Sequence, residues 1–383
     1  MAHLFVREGV PLLRGQNILP QTLDLSELKF ISAATHQLWK KSALLPRDVA
    51  IVRVGYPGTA CVIPQGLGDL NAASLVLVRP DETRIDSDYV ACVLNSSWGK
   101  RQIASLLVGG AQQVFNTRTA AEFLVPLPPL PEQRAIATAL SDVDALLGGL
   151  DQLIAKKRDV KQAAMQQLLT GQTRLPGFDG EWGVASLDML TSRATGVWGH
   201  GEPDERNSRR AEIIRAGDIS QDGKLTATAT RYIAPGEFEK AKCDLDDLVI
   251  TTSGNGLGKL WWCDGRSDIA ASNFVRVLHP IAGRAVGRFL YYALRTATGI
   301  RQLHENTATS AYPNLRPTYF STIWIPLPPL HEQTAISIVL ADMDAELAVL
   351  KTCRDKTRDL KQAMMQELLT GKTRLVPVGV GDG

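Results

Sequence analysis

The sequence predicts an α+β fold: two mixed α/β domains joined by two long helices that form an antiparallel coiled coil with pseudo-two-fold symmetry. Three observations predict it. Residues 125–175 and 325–375 repeat each other at a spacing of 200 residues, without a gap and with about 30 of 51 positions identical. Apolar residues recur at helical spacing along each copy, over a stretch too long for one small domain. Before each copy lie short β-branched runs broken by Gly, Asn and Asp, which read as strands. A period of 200 far exceeds the roughly 20–50 residues of stacked solenoid repeats. The chain is therefore a duplicated domain-plus-helix module.

The repeat sets the boundaries: a first mixed domain (1–124), a central long helix (125–171), a linker (172–183), a second mixed domain (184–324), a second long helix (325–371) and a tail (372–383). Leu-Pro-Pro-Leu precedes each helix, because proline fixes extended backbone and is tolerated in the first helical turn. Glu132 and Glu332 place a carboxylate at the positive end of each helix. Lys156, Lys157, Arg158 and Lys161 lie in the half approaching the negative end of the first. Gly171 and Gly371 stand where a left-handed stop is wanted. About 40 residues at ~1.5 Å each give a rod of roughly 60 Å.

Ile136, Leu140, Val143, Leu147, Leu150 and Ile154 alternate steps of four and three, as do Ile336, Leu340, Met343, Leu347 and Leu350. That is a heptad seam. Lys157 and Lys161 interrupt it before apolar residues resume at Val160, Ala164 and Leu168, which predicts a phase shift. Two matched seams in one chain, with a globular block between them, are most simply satisfied by each other, antiparallel. The plainer alternative is that each helix packs on its own domain. Gly148-Gly149 argues against it, since each glycine costs ~1 kcal/mol relative to Ala in a helix and close backbone contact with a partner helix would offset that.

The mixed domains also align, more loosely. Residues 45–55 parallel 245–254, an apolar run ending in a turn, and both halves then carry a strand ending at Pro80 and Pro280. Residues 89–94 parallel 289–294 as a helix, and Arg101-Gln102 recurs as Arg301-Gln302. The loops diverge most: 109–118 against 305–316, and 56–71 against 255–268. Two related recognition surfaces for different targets would show that pattern. In the second half, Trp182 and Leu187 open the domain about 30 residues before Arg215, whereas the equivalent Arg14 comes only 13 residues after the start. The first domain is thus expected to lack about 20 residues at its beginning, through either a misassigned start or a shortened domain.

At 383 residues, with 44% hydrophobic and 21% charged content, the chain reads as an ordinary folded protein of two or three domains. A net charge of +2 means that any nucleic-acid surface must be local. Five cysteines without a CxxC pair and six scattered histidines give no zinc spacing and suggest reduced thiols. No stretch approaches 18 uncharged apolar residues and no apolar signal core opens the chain. The expected location is the cytoplasm, and no metal and no membrane association are expected.

Chemistry-bearing motifs are missing. Residues 254–260 (GNGLGKL) place three residues between Gly254 and Gly258 where a P-loop needs four, and Leu260 replaces the hydroxyl that would bind Mg²⁺; an ordinary turn is expected there. No Asn/Asp-Pro-Pro-aromatic tetrad for adenine methylation occurs, nor a GxGxxG after a strand. Asp179 and Glu181 lack a companion lysine at nuclease-like spacing. The reading is a non-enzymatic binding component whose catalytic partners lie elsewhere.

The tandem arrangement resembles the DNA-specificity subunit of type I restriction–modification enzymes. The matching residues are PLPPLPEQ (126–133) and PLPPLHEQ (326–333), with the long helices ending QQLLTGQTR (166–174) and QELLTGKTR (366–374). The resemblance covers essentially the whole chain. It implies two target-recognition domains that read the halves of a split, asymmetric site in double-stranded DNA, spaced by the coiled coil. It also implies two methyltransferase subunits that bind S-adenosylmethionine, two endonuclease/translocase subunits that use ATP and Mg, and no cofactor or catalysis in this chain.

Base reading draws chiefly on Arg, Asn and Gln, and phosphates on Lys, Arg, Ser and Thr. Loops rich in these after strand ends are the candidates: Arg53, Tyr56, Thr59, Gln112, Gln113, Asn116 and Arg118 in the first domain, and Ser253, Asn255, Lys259, Asn273, Thr309, Ser310, Tyr312, Asn314 and Arg316 in the second. Arg206, Arg209, Arg210 and Arg215 form a basic stretch that could follow phosphates or simply face solvent. Two other classes of function compete: a coiled-coil scaffold whose two globular heads bind protein partners, and an enzyme acting on nucleic acid alone. Steep salt dependence of DNA binding would separate the first; methylation or cleavage by the isolated chain would mark the second.

Overall fold

A computed structural model describes residues 4–107, 114–305 and 314–375, apart from the side chains of Asn255 and Pro317. The chain forms two compact units, Met1–Gln152 with Lys351–Gly383, and Leu153–Leu350. Both long helices cross that division, so each unit holds a mixed domain and one half of each helix.

In the first unit, β1 (Phe5–Val6), β2 (Val10–Leu13), a hairpin of β3 (Ile18–Leu19) and β4 (Thr22–Leu23), β5 (Lys29–Ile31), α1 (Ala33–Leu38) and β6 (Ala43–Leu44) come first. Then follow β7 (Val49–Val52), β8 (Ala60–Val62), β9 (Leu70–Ala72), β10 (Leu75–Val78), α2 (Ser87–Asn95), α3 (Ser97–Leu106), α4 (Thr117–Glu122) and the long α5 (Leu130–Leu168). One sheet has the order β1-β5-β2-β9-β6, with β2 and β9 parallel; another has the order β10-β7-β8 and is antiparallel. All four residues of β7 are buried, because both faces of that strand are covered. Val49 and Ile51 pack with Val90, Ala91 and Leu94 of α2, while Ala50 and Val52 pack with Leu13, Ile18 and Leu44.

The second unit carries β11 (Gly183–Ser186), α6 (Leu187–Leu190), β12 (Thr191–Thr195), β13 (Arg209–Ile214), β14 (Ala229–Ile233), α7 (Pro235–Ala241), β15 (Leu248–Thr251) and β16 (Leu260–Trp262). After them come β17 (Ile269–Ala271), β18 (Val275–Pro280), α8 (Gly287–Leu294), α9 (Ala297–Glu305), β19 (Trp324–Leu327) and the long α10 (Leu330–Leu369). Its sheets repeat the plan: β14-β13-β17 with a parallel β13/β17 pair, and β12-β18-β15-β16. A further pair joins β11 to β19.

The correspondence is close enough to show what differs. Pro11 pairs with Phe30 as Glu212 pairs with Thr230, so Val6, opposite Phe30, takes the place of a residue beyond the end of β12. Among the described residues, β11, α6 and β12 have no counterpart in the first unit. There β10 has one strand neighbour where β18 has two, and residues 124–127 run without a strand partner where β19 pairs with β11. Leu77 and Val78 are accordingly half-buried, whereas the equivalent Val277 and Leu278 are fully buried.

The seam residues turn inward as their spacing requires. Ile136, Leu140, Ile154, Ile336, Leu340 and Leu347 are buried, and Val143, Leu147, Leu150, Met343 and Leu350 half-buried. The expected phase shift is absent. Val160 is exposed, and the same seam runs on through Lys157, Lys161, Ala164 and Leu168. The lysines keep their register because acidic partners meet them: Lys157 Nζ lies 2.6 Å from Glu346 and Lys161 Nζ 2.5 Å from Asp344. In the first unit Lys361 meets Asp144 at 2.5 Å and Arg354 meets Asp151 at 3.4 Å. Residue numbers rise along one helix as they fall along the other, so the helices are antiparallel in each unit.

The two packing alternatives are realised together. Ile136 and Leu140 pack both on Tyr89 and Val93 of their own domain and on Leu368 and Leu369 of α10. Ile336 and Leu340 do the same with Phe289 and Leu290 and with Leu168 and Leu169 of α5. The glycine expectation fails: Gly148 and Gly149 are exposed, and an added Cβ at either would meet nothing within 4 Å. They permit no close approach of a partner helix. Gly171 and Gly371 both take φ of +72°, the left-handed conformation expected after the helix ends.

Glu132 and Glu332 stand in the first turn of α5 and α10, at the positive ends as expected, and each also takes a partner from the other helix. Each is almost fully buried, at 2% and 0% exposure. Arg174 closes on Glu332 with two bonds (2.6 and 2.7 Å), and Trp182 Nε1 adds a third at 3.1 Å. Arg374 closes on Glu132 in the same two-pronged way. Burying a carboxylate without a partner is costly, so the Glu of each opening motif needs the Arg of the other helix's closing motif. Gln133 and Gln333 complete the joint. Each accepts a backbone N–H of its own domain, from Asp86 and Val286, at 2.9 Å. Each donates to two backbone carbonyls, Arg84 and Pro128 or Arg284 and Pro328.

Candidate nucleic-acid interface

Strand ends deliver the variable loops, and hydrogen bonds gather them. In the second unit Thr252 leaves β15 and becomes the junction. Its N–H donates to the Phe274 carbonyl (3.0 Å), and its own carbonyl accepts from Leu315 N (2.8 Å). Ser253 forms an isolated antiparallel bridge with Asn314. Three segments distant in sequence, at 252–259, 272–274 and 314–316, thus meet. In the first unit the Phe115 N–H donates to the Arg53 carbonyl at 2.9 Å, joining the loop after β7 to the segment entering α4.

The candidate residues divide accordingly. Tyr56 is 83% exposed, Arg53 and Thr59 are half-buried, and Asn116 and Arg118 are exposed. Asn116 already has local work: its Oδ1 accepts from Thr119 N (3.0 Å) and caps α4. Arg118 pairs with Glu122 one turn along. Ser253, Lys259 and Asn273 are half-buried, and Asn314 and Arg316 exposed. Asn255 lies in the short 3₁₀ turn Gly254–Gly256, which is what the failed phosphate-loop pattern becomes. Gln112, Gln113, Thr309, Ser310 and Tyr312 lie outside the described residues.

Local electrostatics reassigns part of the basic stretch. Arg209 pairs with Asp268 at 2.7 Å and stacks 3.8 Å from the Phe238 ring. Arg215 holds Asp218 through Nε and Nη2 at 3.0 and 2.9 Å. Both side chains serve the fold.

A second cluster could be taken for a metal centre: ligand atoms of Asp244, Asp247 and His279 lie within 4.8 Å of one another. They satisfy each other instead. Asp247, 3% exposed, accepts the Asp244 N–H at 2.6 Å and meets His279 Nδ1 at 2.9 Å, while Lys242 lies 3.5 Å from Asp244. That hydrogen bond to Asp247 raises the His279 pKa above the usual imidazole value against the opposing effect of burial. In the first unit Asp48 occupies the same place, and Arg79 grips it with two bonds of 2.7 Å. The position therefore holds a cation of the protein's own.

Sequence reading missed two groups. The Glu–Arg clamps were visible as repeated Glu-Gln and Thr-Arg pairs, but not as partners. Trp198 and Phe274 form an exposed aromatic pair beside the Thr252 junction, with ring centroids 5.6 Å apart and planes at 90°. Only the motif Gly196-Val-Trp-Gly199 hinted at them.

Two mixed units, each gathering polar loops around strand ends and tied to the long helices by buried clamps, define a duplicated recognition protein. The model of the type I restriction modification DNA specificity domain matches residues 71–156 and 188–356. The chain belongs to that family and is a DNA-recognition specificity subunit of a type I restriction–modification system. Among its relatives, the type I restriction enzyme StySPI specificity subunit of Salmonella potsdam is 25% identical over 349 residues, covering 85% of this chain and 73% of that protein. The MjaVIII specificity subunit of Methanocaldococcus jannaschii is 23% identical over 274 residues, covering 66% of this chain and 62% of that protein. The crystal structure of a type I restriction–modification S subunit from M. genitalium shares the fold, with a TM-score of 0.58 and 16% identity over 96% of this chain and 91% of that one. The family implies DNA binding, a complex with other restriction–modification subunits and a non-catalytic part in it. No helix among the described residues is long and apolar enough to cross a membrane.

Proposed function

We propose that each unit reads one half of a split, asymmetric site in double-stranded DNA, with the long helices setting the distance between halves. The chain performs no chemistry itself. It directs adenine methylation by two methyltransferase subunits that bind S-adenosylmethionine, and restriction by two endonuclease/translocase subunits that use ATP and Mg, in the cytoplasm. The observation that supports this most is the gathering of loops that differ between otherwise matched units: 252–259 with 314–316 in one, 53–59 with 114–118 in the other. Similar scaffolds carrying different polar loops suit two half-sites of different sequence.

Base contacts would come from Arg53, Tyr56, Asn255, Asn273, Asn314 and the undescribed Gln112 and Gln113. Positioning contacts to phosphate would come from Thr59, Arg118, Ser253, Lys259 and Arg316. Methylome sequencing of the host with and without this gene tests the reading directly. A single bipartite motif should lose methylation on deletion, and no change would reject the proposal. Asn314→Ala, assembled with the partner methyltransferase, should relax preference at one base of one half-site by ~1–3 kcal/mol. Unchanged methylation specificity would remove Asn314 from the reading set.

A further inference from the structure

We propose that Trp198 and Phe274 form an aromatic wedge that inserts at one base-pair step of the half-site read by the second unit, and that the first unit has no such device. The proposal rests on the DNA-reading function above and adds a residue-level mechanism to one half of it.

Two large aromatic side chains stand out from the surface, Trp198 at 63% exposure and Phe274 at 51%. A lone exposed aromatic is ordinary; this pair is held. Gly196 and Gly199 bracket Val197-Trp198 and both lie where no side chain fits. A Cβ on Gly196 would stand 1.8 Å from the Ser272 carbonyl oxygen, and one on Gly199 would stand 2.4 Å from Arg231 Cβ. Val197 N donates to Ala271 O at 2.9 Å and bridges Ser272. The backbone that carries Trp198 is thereby fixed against the turn that carries Phe274.

That turn is continuous with the candidate reading loops. The Phe274 carbonyl accepts from both Thr252 N (3.0 Å) and Thr252 Oγ1 (3.2 Å). Thr252 in turn holds Leu315, between Asn314 and Arg316. The stem of Arg231 lies against Gly199, and Arg276 follows two residues after Phe274, bonded to Thr195 at 3.5 Å. A rigid apolar pair flanked by guanidinium groups and joined to polar loops is what inserts between bases: the rings stack, the cations meet phosphate. The internal repeat sharpens the assignment. On the register that matches β10 to β18, Ser74 occupies the place of Phe274, so the first unit lacks one ring of the pair. Distortion of the DNA should therefore be confined to one half-site.

The experiment uses the full chain assembled with its methyltransferase partner on a duplex carrying the site found by methylome sequencing. 2-Aminopurine is placed in turn at each position other than the methylated adenines, which would report base flipping in both halves. The wild-type assembly should raise fluorescence at one step of one half-site. Trp198→Ala and Phe274→Ser, the residue type of the first unit, should each cut that rise at least threefold and weaken binding about tenfold. The slope of affinity against salt should stay unchanged, since no phosphate contact is lost. Trp198→Phe should keep most of the signal. Wild-type binding without a fluorescence rise, or variants that retain both rise and affinity, overturn the wedge while leaving DNA reading intact. Variants that fail to assemble, yet show a wild-type rise in whatever complex forms, also overturn it by marking the pair as a protein contact. Absence of sequence-dependent binding by the wild type removes the reading function and the wedge with it.

Discussion

Glu132 shows how a residue can be legible in place and only partly in role. A carboxylate at a helix start suits the dipole, and Glu132 has in addition a partner in Arg374, 242 residues away. Arg374 holds the Glu132 pKa below the usual carboxylate range. A depressed carboxylate contributes stability that is present above its unfolded pKa, near ~4.3, and is lost as pH falls through the folded value. Melting measured from pH 6 down to pH 3 should fall less steeply in Arg374→Gln than in wild type; identical acid limbs would argue against the clamp. His279 has the opposite sign. Its pKa is raised by Asp247, so its contribution is present below ~6.5 and is lost as pH rises through the folded value. His279→Arg, which copies Arg79, should remove the drop in melting temperature between pH 6 and pH 9 attributable to this pair. Asn116 is a DNA-contact candidate by residue type and by its loop, and the cap that it provides for α4 is set by local backbone geometry that no sequence pattern shows.

At the scale of elements, the long helices were the most readable part, because heptad spacing runs from Ile136 to Leu168. The misreading at Lys157 and Lys161 came from treating charge as an interruption. In an antiparallel pair a lysine can hold a seam position when its long stem packs inward and an aspartate or glutamate from the facing helix receives the ammonium. Strands were readable as apolar runs, but their order was not, because the parallel β2/β9 and β13/β17 pairs join segments almost 60 residues apart. The glycine pair offers a clean test of element stability. With open space around Gly148 and Gly149, Gly→Ala at each should stabilise by up to ~1 kcal/mol, read as a higher urea midpoint. A loss of stability would argue against open space around those positions.

For the whole molecule, both clamps must close on one antiparallel register. A seven-residue insertion near the middle of α5 alone would set Glu132–Arg374 and Glu332–Arg174 out of step with each other, so poorly folded or aggregated protein is expected. Matched insertions in α5 and α10 keep both pairs in phase and should give a folded subunit. They should also lengthen the spacer between half-sites by about three base pairs, since seven residues rise ~10 Å against ~3.4 Å per pair. Methylome sequencing of such a strain reads the result, and an unchanged spacer would mean that the helices do not set the distance. The sequence carried this architecture because duplication wrote the same packing problem twice. What it did not carry was the choice of recognised bases, which depends on loop conformation rather than on periodicity.

The outer side of β10 has a consequence for handling the protein. Alternate residues of Leu75–Val78 turn their backbone amides and carbonyls toward a margin with no strand neighbour among the described residues. Such a margin is a template on which other polypeptides can add themselves. Concentrated preparations should cloud through the first unit before the second, and a lysine introduced along that margin should keep them clear.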